Sequence, residues 1–424
     1  MTTTINNEHK ELNFSSEREQ SQACLNSAEH EKNQGRKVLN VPNLRFPEFQ
    51  GEWEEERLAD IADLYKGTGI SKDQLSDDGE PCILYGELYT KYKSETIREV
   101  ISKTNIDNTK LVRSKANDVI IPCSGETAED IATARCVLNG NILLGGDLNI
   151  IRLHGYDGAF MSYQLNGRRK YDIAKVAQGV SVVHLYGEHL KGVKTINPCL
   201  EEQKKIAKLL SLFDERIATQ SKIIEDLKKL KSAIIEKLYK GIQGTWYSYR
   251  QLFSIINERN KQLEYSNVLS ASQERGMVSR EDLNLDIHFE RSNISTYKIV
   301  KNGDYVIHLR SFQGGFAFSE KTGICSPVYT VLRPNNLLVY GYLSNYFTSR
   351  NFVKSLIIVT YGIRDGRSIN VDEWLDMKVV IPSKEQQTHI VNVIESIENK
   401  IKNEETYSNC LLNQKQYLLR QMFI

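Results

Sequence analysis

The sequence predicts an α+β (mixed α/β) chain. Two globular domains are separated by two long antiparallel coiled-coil helices and related by an internal pseudo-two-fold repeat. Three observations predict this. "INPCLEEQKKIAKLLSLFDERI" (Ile196–Ile217) is written again as "VIPSKEQQTHIVNVIESIENKI" (Val380–Ile401). Each copy runs on in heptads of apolar residues. Ahead of each copy lie short β-branched runs set off by Gly, Asn and Asp, the text of strands and turns.

Bulk properties bound the reading. A chain of 424 residues can hold two or three domains with proper cores. At 26% charged and 40% hydrophobic it has the composition of a soluble globular protein. It has no apolar run long enough for a membrane span, and no basic start followed by an apolar core that would read as a secretory signal. Seven cysteines without a CxxC spacing suit a reducing cytoplasm. The net charge of +1 means that any nucleic-acid-binding face is a local patch on a balanced surface.

Taken in order, residues 1–40 are rich in Glu, Gln, Asn and Ser and read as a disordered extension. A first globular domain is expected over 41–198, opening at "VPNLRFPEF" and carrying the strands "DVIIP" and "LNIIRL" and the helical "LADIADLY". Pro198 stops its last strand, and an acidic turn then opens a helix over 199–242. A second domain follows over 243–382, with strands "YVIHL" and "PVYTVLRP" and the helical "YLSNYFTS". Pro382 stops it, and a second helix fills 383–424.

The repeat is detailed. Pro198 and Pro382 lie 184 residues apart, and the same offset brings Glu201 onto Glu385, Gln203 onto Gln387, Ile206 onto Ile390 and Ile217 onto Ile401. Upstream, "KGVKTINP" matches "LDMKVVIP", "QGV" near Gly179 matches "YGI" near Gly362, and "NDVIIPCSG" resembles "GDYVIHLRS". The domains also open alike, "FQGEW" before Leu58 and "IQGTW" before Leu252.

The helices pass a heptad test. Steps of four and three from Ile206 select Leu210, Phe213, Ile217, Gln220, Ile224, Leu227, Lys231, Ile234 and Leu238. From Ile390 they select Ile394, Ile397, Ile401, Glu404, Ser408, Leu411, Lys415, Leu418 and Met422. Polar breaks fall at matching places, Gln220 with Glu404 and Lys231 with Lys415, which predicts that the helices pair with each other in a shared register.

Catalytic chemistry is not written here. There is no GxxxxGK[ST] loop, no GxGxxG, and no Asn/Asp-Pro-Pro-aromatic motif of an amino-methyltransferase. His184 and His189 lack an evident third metal ligand, and Cys123 reads as a buried thiol. The expected lists of catalytic and metal-binding residues are therefore empty.

The doubled Pro-x-x-Glu-x-Gln helix start, "NPCLEEQKKIAKLLSLFD" and "IPSKEQQTHIVNVIES", with the openings "LRFPEFQGEW" and "IQGTW", resembles the specificity subunits of type I restriction–modification systems. The resemblance covers residues from about 41 to 424. It implies two target-recognition domains that each read half of a split double-stranded DNA sequence. It also implies two helices that hold them apart and dock two methyltransferase subunits and, through these, restriction subunits. The chain would be a non-catalytic, cytoplasmic subunit. S-adenosylmethionine, ATP and Mg are expected on the partners and no cofactor on this chain. A rival reading is a coiled-coil interaction scaffold whose α/β domains bind protein or glycan.

Candidate DNA contacts were sought on loops that mix cations, amides, hydroxyls and aromatics. The first domain offers Tyr89, Lys91, Tyr92 and Lys93; Ser124, Thr127 and Arg135; Arg168, Arg169 and Lys170; and Ser181 and His184. The second offers Ser272, Gln273 and Arg275; His308, Arg310, Ser311 and Gln313; and Tyr361, Arg364 and Arg367.

Overall fold

The computed structural model describes residues 40–107, 109–179, 182–272, 275–283, 291–308, 315–361 and 368–424. The expected extension, 1–40, lies outside these except for its last residue. The chain divides into two compact units, Met1–Glu215 with Leu412–Ile424, and Arg216–Leu411.

In the first unit the elements are β1 (Glu54–Arg57), β2 (Ala62–Lys66), β3 (Thr96–Ile97), β4 (Asp118–Pro122), β5 (Arg135–Val137), β6 (Leu148–Leu153), α1 (Gly158–Asn166) and β7 (Lys194–Asn197), ahead of the long helix α2 (Leu200–Tyr239). The central sheet has the order β2–β6–β4–β5–β3. It is antiparallel except where β3 runs parallel to β5. The unbroken apolar run "DVIIP" is explained by burial on both faces. Val119 and Ile121 enter one core with Ile151 and Met161. Ile120 enters another with Val137, Leu148 and Ile150. A strand covered on both sides has no reason to alternate with polar residues.

In the second unit β8 (Thr245–Ser248), β9 (Phe253–Ile256), β10 (Tyr305–Ile307), β11 (Phe316–Phe318), β12 (Thr330–Pro334), α3 (Tyr342–Tyr346) and β13 (Lys378–Ile381) precede the long helix α4 (Lys384–Met422). The sheet order β9–β12–β10–β11 repeats β2–β6–β4–β5 of the first unit. Its core is strongly aromatic: Tyr249 stacks on Trp374 at 4.3 Å, with Phe253, Phe316, Phe347 and Phe352 around them.

The match of "NDVIIPCSG" with "GDYVIHLRS" has a structural cause. Asp118 at the head of β4 accepts from Arg152 Nε at 2.9 Å and Nη2 at 2.7 Å, and from the Lys115 amide at 2.7 Å. Asp304, ahead of β10, accepts from Arg333 Nε and Nη2, both at 2.8 Å, and from the Lys301 amide at 2.8 Å. Each carboxylate is almost wholly buried. A bidentate guanidinium with a backbone donor gives it the partners that burial demands.

The openings do not match in the register that the text suggests. Glu56 pairs with Thr195 and Tyr247 with Val379, which are equivalent positions. Trp53 therefore corresponds to Gly244, not to Trp246. Trp53 is 2% exposed and Trp246 is 65% exposed. A Cβ at Gly244 would lie 2.2 Å from the Ile381 carbonyl oxygen, so no side chain fits there. The shared "Q-G-x-W" is thus a coincidence of composition two residues out of phase.

Both long helices carry the predicted seam. Ile206, Leu210, Phe213, Ile217, Ile224, Leu227, Ile234 and Leu238 on α2 are all buried or half-buried. So are Ile390, Ile394, Ile397, Ile401, Leu411, Leu418 and Met422 on α4. The helices run antiparallel. In the second unit the Gln220 amide donates to the Glu404 carbonyl at 3.2 Å, and Lys231 meets Glu398 at 2.6 Å. In the first unit Lys415 meets Asp214 at 2.5 Å. Of the matched polar breaks, Gln220 and Glu404 meet each other. Lys231 and Lys415 each take a carboxylate instead, and these two carboxylates are again 184 residues apart. Among the described residues no helix is long and apolar enough to cross a membrane.

Candidate nucleic-acid interface

The two ends of the domain repeat are tied to the helices by a buried glutamine. Gln203 donates to the Pro198 carbonyl at 2.8 Å and accepts from the Asp157 amide at 2.9 Å. Gln387 donates to the Pro382 and Leu337 carbonyls at 3.1 and 3.0 Å and accepts from the Val339 amide at 2.8 Å. One amide side chain thus closes the helix start on the strand before it and on a loop of the domain. This is why Pro and Gln recur at one spacing. The residue before it differs for a reason. Glu202 is fully buried and is gripped by Arg45 through Nε and Nη2 at 2.8 and 2.7 Å. Gln386 at the equivalent place is exposed.

Some of the candidate contacts of the first unit lie at one end of its central sheet. In the first unit β4 ends at Pro122, opposite Leu148, and β2 ends at Lys66, opposite Asn149. Beyond them Ser124 pairs with His184, and the Cys123 amide donates to the Asp147 carbonyl. His184 is exposed there and stacks at 6.2 Å on Tyr186, which is also exposed. Lys66, exposed at the same end, escapes sequence reasoning because nothing in a strand's own text says which terminus faces solvent. Tyr186 carries no signal in the sequence beyond its proximity to the more polar His184.

Other candidates are drawn inward. Tyr92 and Arg135 are buried. Arg135 donates to the Tyr92 carbonyl at 3.0 Å and to its neighbour Ala134 at 3.1 Å. Ser124 is buried in its strand pair. Ser124 and Arg135 lie in strands, and Tyr92 turns its ring into the core beside Ile97 and Leu88. Lys91 is spent on Glu87 at 2.7 Å and Ser102 at 2.8 Å. Thr127 caps a helical turn by accepting from the Asp130 amide at 3.1 Å. Tyr89 is exposed, yet burial of its ring and then the charges of Tyr85, Asp130 and Glu126 raise its hydroxyl pKa. A phosphate brought there would meet carboxylates. Arg168 donates to the Arg420 and Phe423 carbonyls at 2.7 and 3.3 Å, and Arg169 to Ile424 at 3.5 Å. This pair neutralises the carbonyl end of α4. Lys93 is exposed and Lys170 is half-buried at the start of a short helix.

In the second unit His308 follows β10 directly and its amide donates to the Gly315 carbonyl at 2.8 Å. Burial holds the His308 imidazole below its ordinary pKa, which favours its neutral form. Arg275 is exposed beside Ser272, whose hydroxyl accepts from the Arg275 amide at 3.4 Å. Tyr361 pairs with Ser368 in a short hairpin. Ser181, Gln273, Arg310, Ser311, Gln313, Arg364 and Arg367 lie outside the described residues.

Comparison with known proteins bears on this arrangement. Residues 50–229 match the family described as type I restriction modification DNA specificity domain. The MjaVIII type I restriction enzyme specificity subunit of Methanocaldococcus jannaschii is 30% identical over 201 residues, 47% of this chain and 44% of that protein. The chain thus spans under half the length of that relative. A putative MjaX specificity subunit of the same organism is 24% identical over 417 residues, 86% of this chain and 91% of that protein. Residues 50–229 are thus similar to the DNA specificity domain of type I restriction–modification systems. The fold likeness extends through the second half of the chain. The crystal structure of a type I system S subunit from M. genitalium superposes with a TM-score of 0.55 at 15% identity, covering 91% of this chain and 99% of that one.

Proposed function

We propose that this chain is the specificity subunit, the DNA-reading component, of a type I restriction–modification complex. Each unit uses the loop end of its sheet to read one half of a split duplex target. The outer faces of α2 and α4 dock methyltransferase subunits, and restriction subunits join through these. The observation that carries the reading is the division of labour in the repeat. The sheet order, the Asp–Arg clamp and the glutamine latch are written twice, while the loops at the sheet ends share almost no text. A surface that reads bases changes with its target, whereas a spacer and a docking face stay constant.

The loops supply the groups that such reading needs. Arg binds guanine bidentately, Gln does so for adenine, and Lys and Tyr contact phosphates. With a net charge of +1 the chain has no overall pull on a polyanion, so binding rests on these local groups. The chain itself performs no chemistry. Methyl transfer from S-adenosylmethionine, and cleavage that consumes ATP with Mg, belong to the partner subunits in a cytoplasmic complex.

The test is to map methylated adenines in DNA treated with this chain, its methyltransferase partner and S-adenosylmethionine. The expected product is methylation at one bipartite sequence, and none with either protein alone. Methyl transfer by the isolated chain, or a methylation pattern indifferent to its presence, would refute the reading.

A further inference from the structure

The first unit contains a buried charge cluster that ties its domain to both helices. Lys415 on α4 lies 2.5 Å from Asp214 on α2 and 2.6 Å from Glu95, and all three side chains are about nine-tenths buried. Asp214 also accepts from the Tyr163 hydroxyl at 2.6 Å and the Ser94 hydroxyl at 3.0 Å. The Lys415 ammonium stands 5.4 Å from the centre of the Tyr163 ring. Glu95 immediately precedes β3, the edge strand of the central sheet, and its carbonyl accepts from the Cys136 amide of β5 at 2.8 Å. The sheet that carries the reading loops is therefore joined to both helices at one buried site, through the Lys415 ammonium between two carboxylates and through the Ser94 and Tyr163 hydroxyls on Asp214.

The equivalent pair in the second unit is built differently. Lys231 meets Glu398 at 2.6 Å, but the side chains are 27% and 43% exposed and neither has a hydrogen bond or ion pair to a group of that domain among the described residues. Stability alone does not account for the difference. A buried ion cluster is no better a stabiliser than an apolar filling of the same volume, and its distinguishing property is direction. An ammonium with two carboxylates permits one arrangement, whereas an apolar patch tolerates sliding.

We infer that Lys415, with Asp214 and Glu95, is a positioning group that sets the angle at which the first recognition domain is carried on the helix pair. It thereby restricts the permitted gap between the two half-sites. This rests on the bipartite reading proposed above.

The test uses the full complex with methyltransferase partner and S-adenosylmethionine, on a DNA set in which the two half-sites are separated by the native gap or by one base pair more or less. Lys415→Met is expected to lower the preference for the native gap by about tenfold, a coupling worth 1.4 kcal/mol, with half-site sequences unchanged. Lys231→Met, at the less buried counterpart, is expected to keep the wild-type preference. Glu95→Gln, which keeps the hydrogen-bonding shape, is expected to relax the gap in the same direction by less, and it decides the matter if Lys415→Met fails to fold. An unchanged gap preference in the folded variant, with activity lowered equally at all gaps, overturns the inference. If the wild-type complex methylates no split site, it is the bipartite reading that fails.

Discussion

Arg45 grips Glu202 through two parallel hydrogen bonds of 2.8 and 2.7 Å, and Glu202 has no exposure to solvent. The same guanidinium reaches back to the Gly51 carbonyl at 2.5 Å, while Phe46 beside it lies under the Lys205 ammonium at 4.5 Å. The segment before β1 is thereby fastened to the first turns of α2. Arg45→Ala leaves a carboxylate buried without its cation, and a loss of about 3–5 kcal/mol in unfolding free energy is expected. Glu202→Gln, which copies the residue at position 386, is expected to cost less. Denaturant titration of the two variants checks the order.

The glutamine latches give a second comparison. Gln203→Ala strands the Asp157 amide and the Pro198 carbonyl, and Gln387→Ala strands the Val339 amide and two carbonyls. Each is expected to cost about 1–3 kcal/mol. Hydrogen exchange should localise the two losses differently, to Asp157 in one variant and to Val339 in the other. Unaltered protection at these amides would mean that the latches are dispensable.

Trp53 and Trp246 should behave as opposites. Trp53 packs against Phe160 at 5.9 Å within a core that includes Ile196, Ile206 and Phe423. Trp53→Ala is expected to destabilise by about 3–5 kcal/mol. Trp246→Ala, on the surface, is expected to change stability by no more than about 0.5 kcal/mol. Thermal melts of both variants distinguish this from the register that the text alone suggests, in which the two residues are equivalent.

Arg364 and Arg367 remain the sharpest candidates for base contact in the second domain. Loss of a base contact in Arg364→Ala or Arg367→Ala is expected to cost roughly 1–3 kcal/mol and to relax one position of one half-site. A phosphate contact instead weakens all sequences alike and reduces the salt slope by about one. Binding measured over a salt series on native and altered half-sites separates the two, and unchanged binding in both variants removes the loop from the interface.

The role of the helices as a spacer is testable through Gln220 and Glu404, which face each other in the seam. One heptad inserted after each keeps phase and pairing. Seven residues lengthen a helix by ~10 Å. DNA advances ~34 Å per ~10 base pairs, so the gap between half-sites is expected to grow by up to about three base pairs. Methylation mapping should find the half-site sequences unaltered. An active variant with its original gap would rule out the spacer role.

What the amino-acid sequence determined by itself was whatever is local or periodic. The seam of α2 and α4 was legible because helical period and burial are one geometric fact, and the doubled Pro-to-Gln helix start because proline and a buried amide act on their own neighbours. The family resemblance followed from the same text. Tertiary structure alone decided the rest. Only antiparallel pairing of the helices gives Lys415 the carboxylate of Asp214, and only folding of β3 against β5 brings Glu95 to the same ammonium. Tyr92 and Arg135 read as a loop aromatic and a loop cation, yet both are interior, Arg135 on a covered strand and Tyr92 with its ring packed in the core. Lys66 joined the loop end of the sheet only once its partner strand was known. The physical reason is common to all three. Solvent access and long-range charge pairing depend on residues that are remote in the chain, and a single stretch of sequence carries no record of what folds against it.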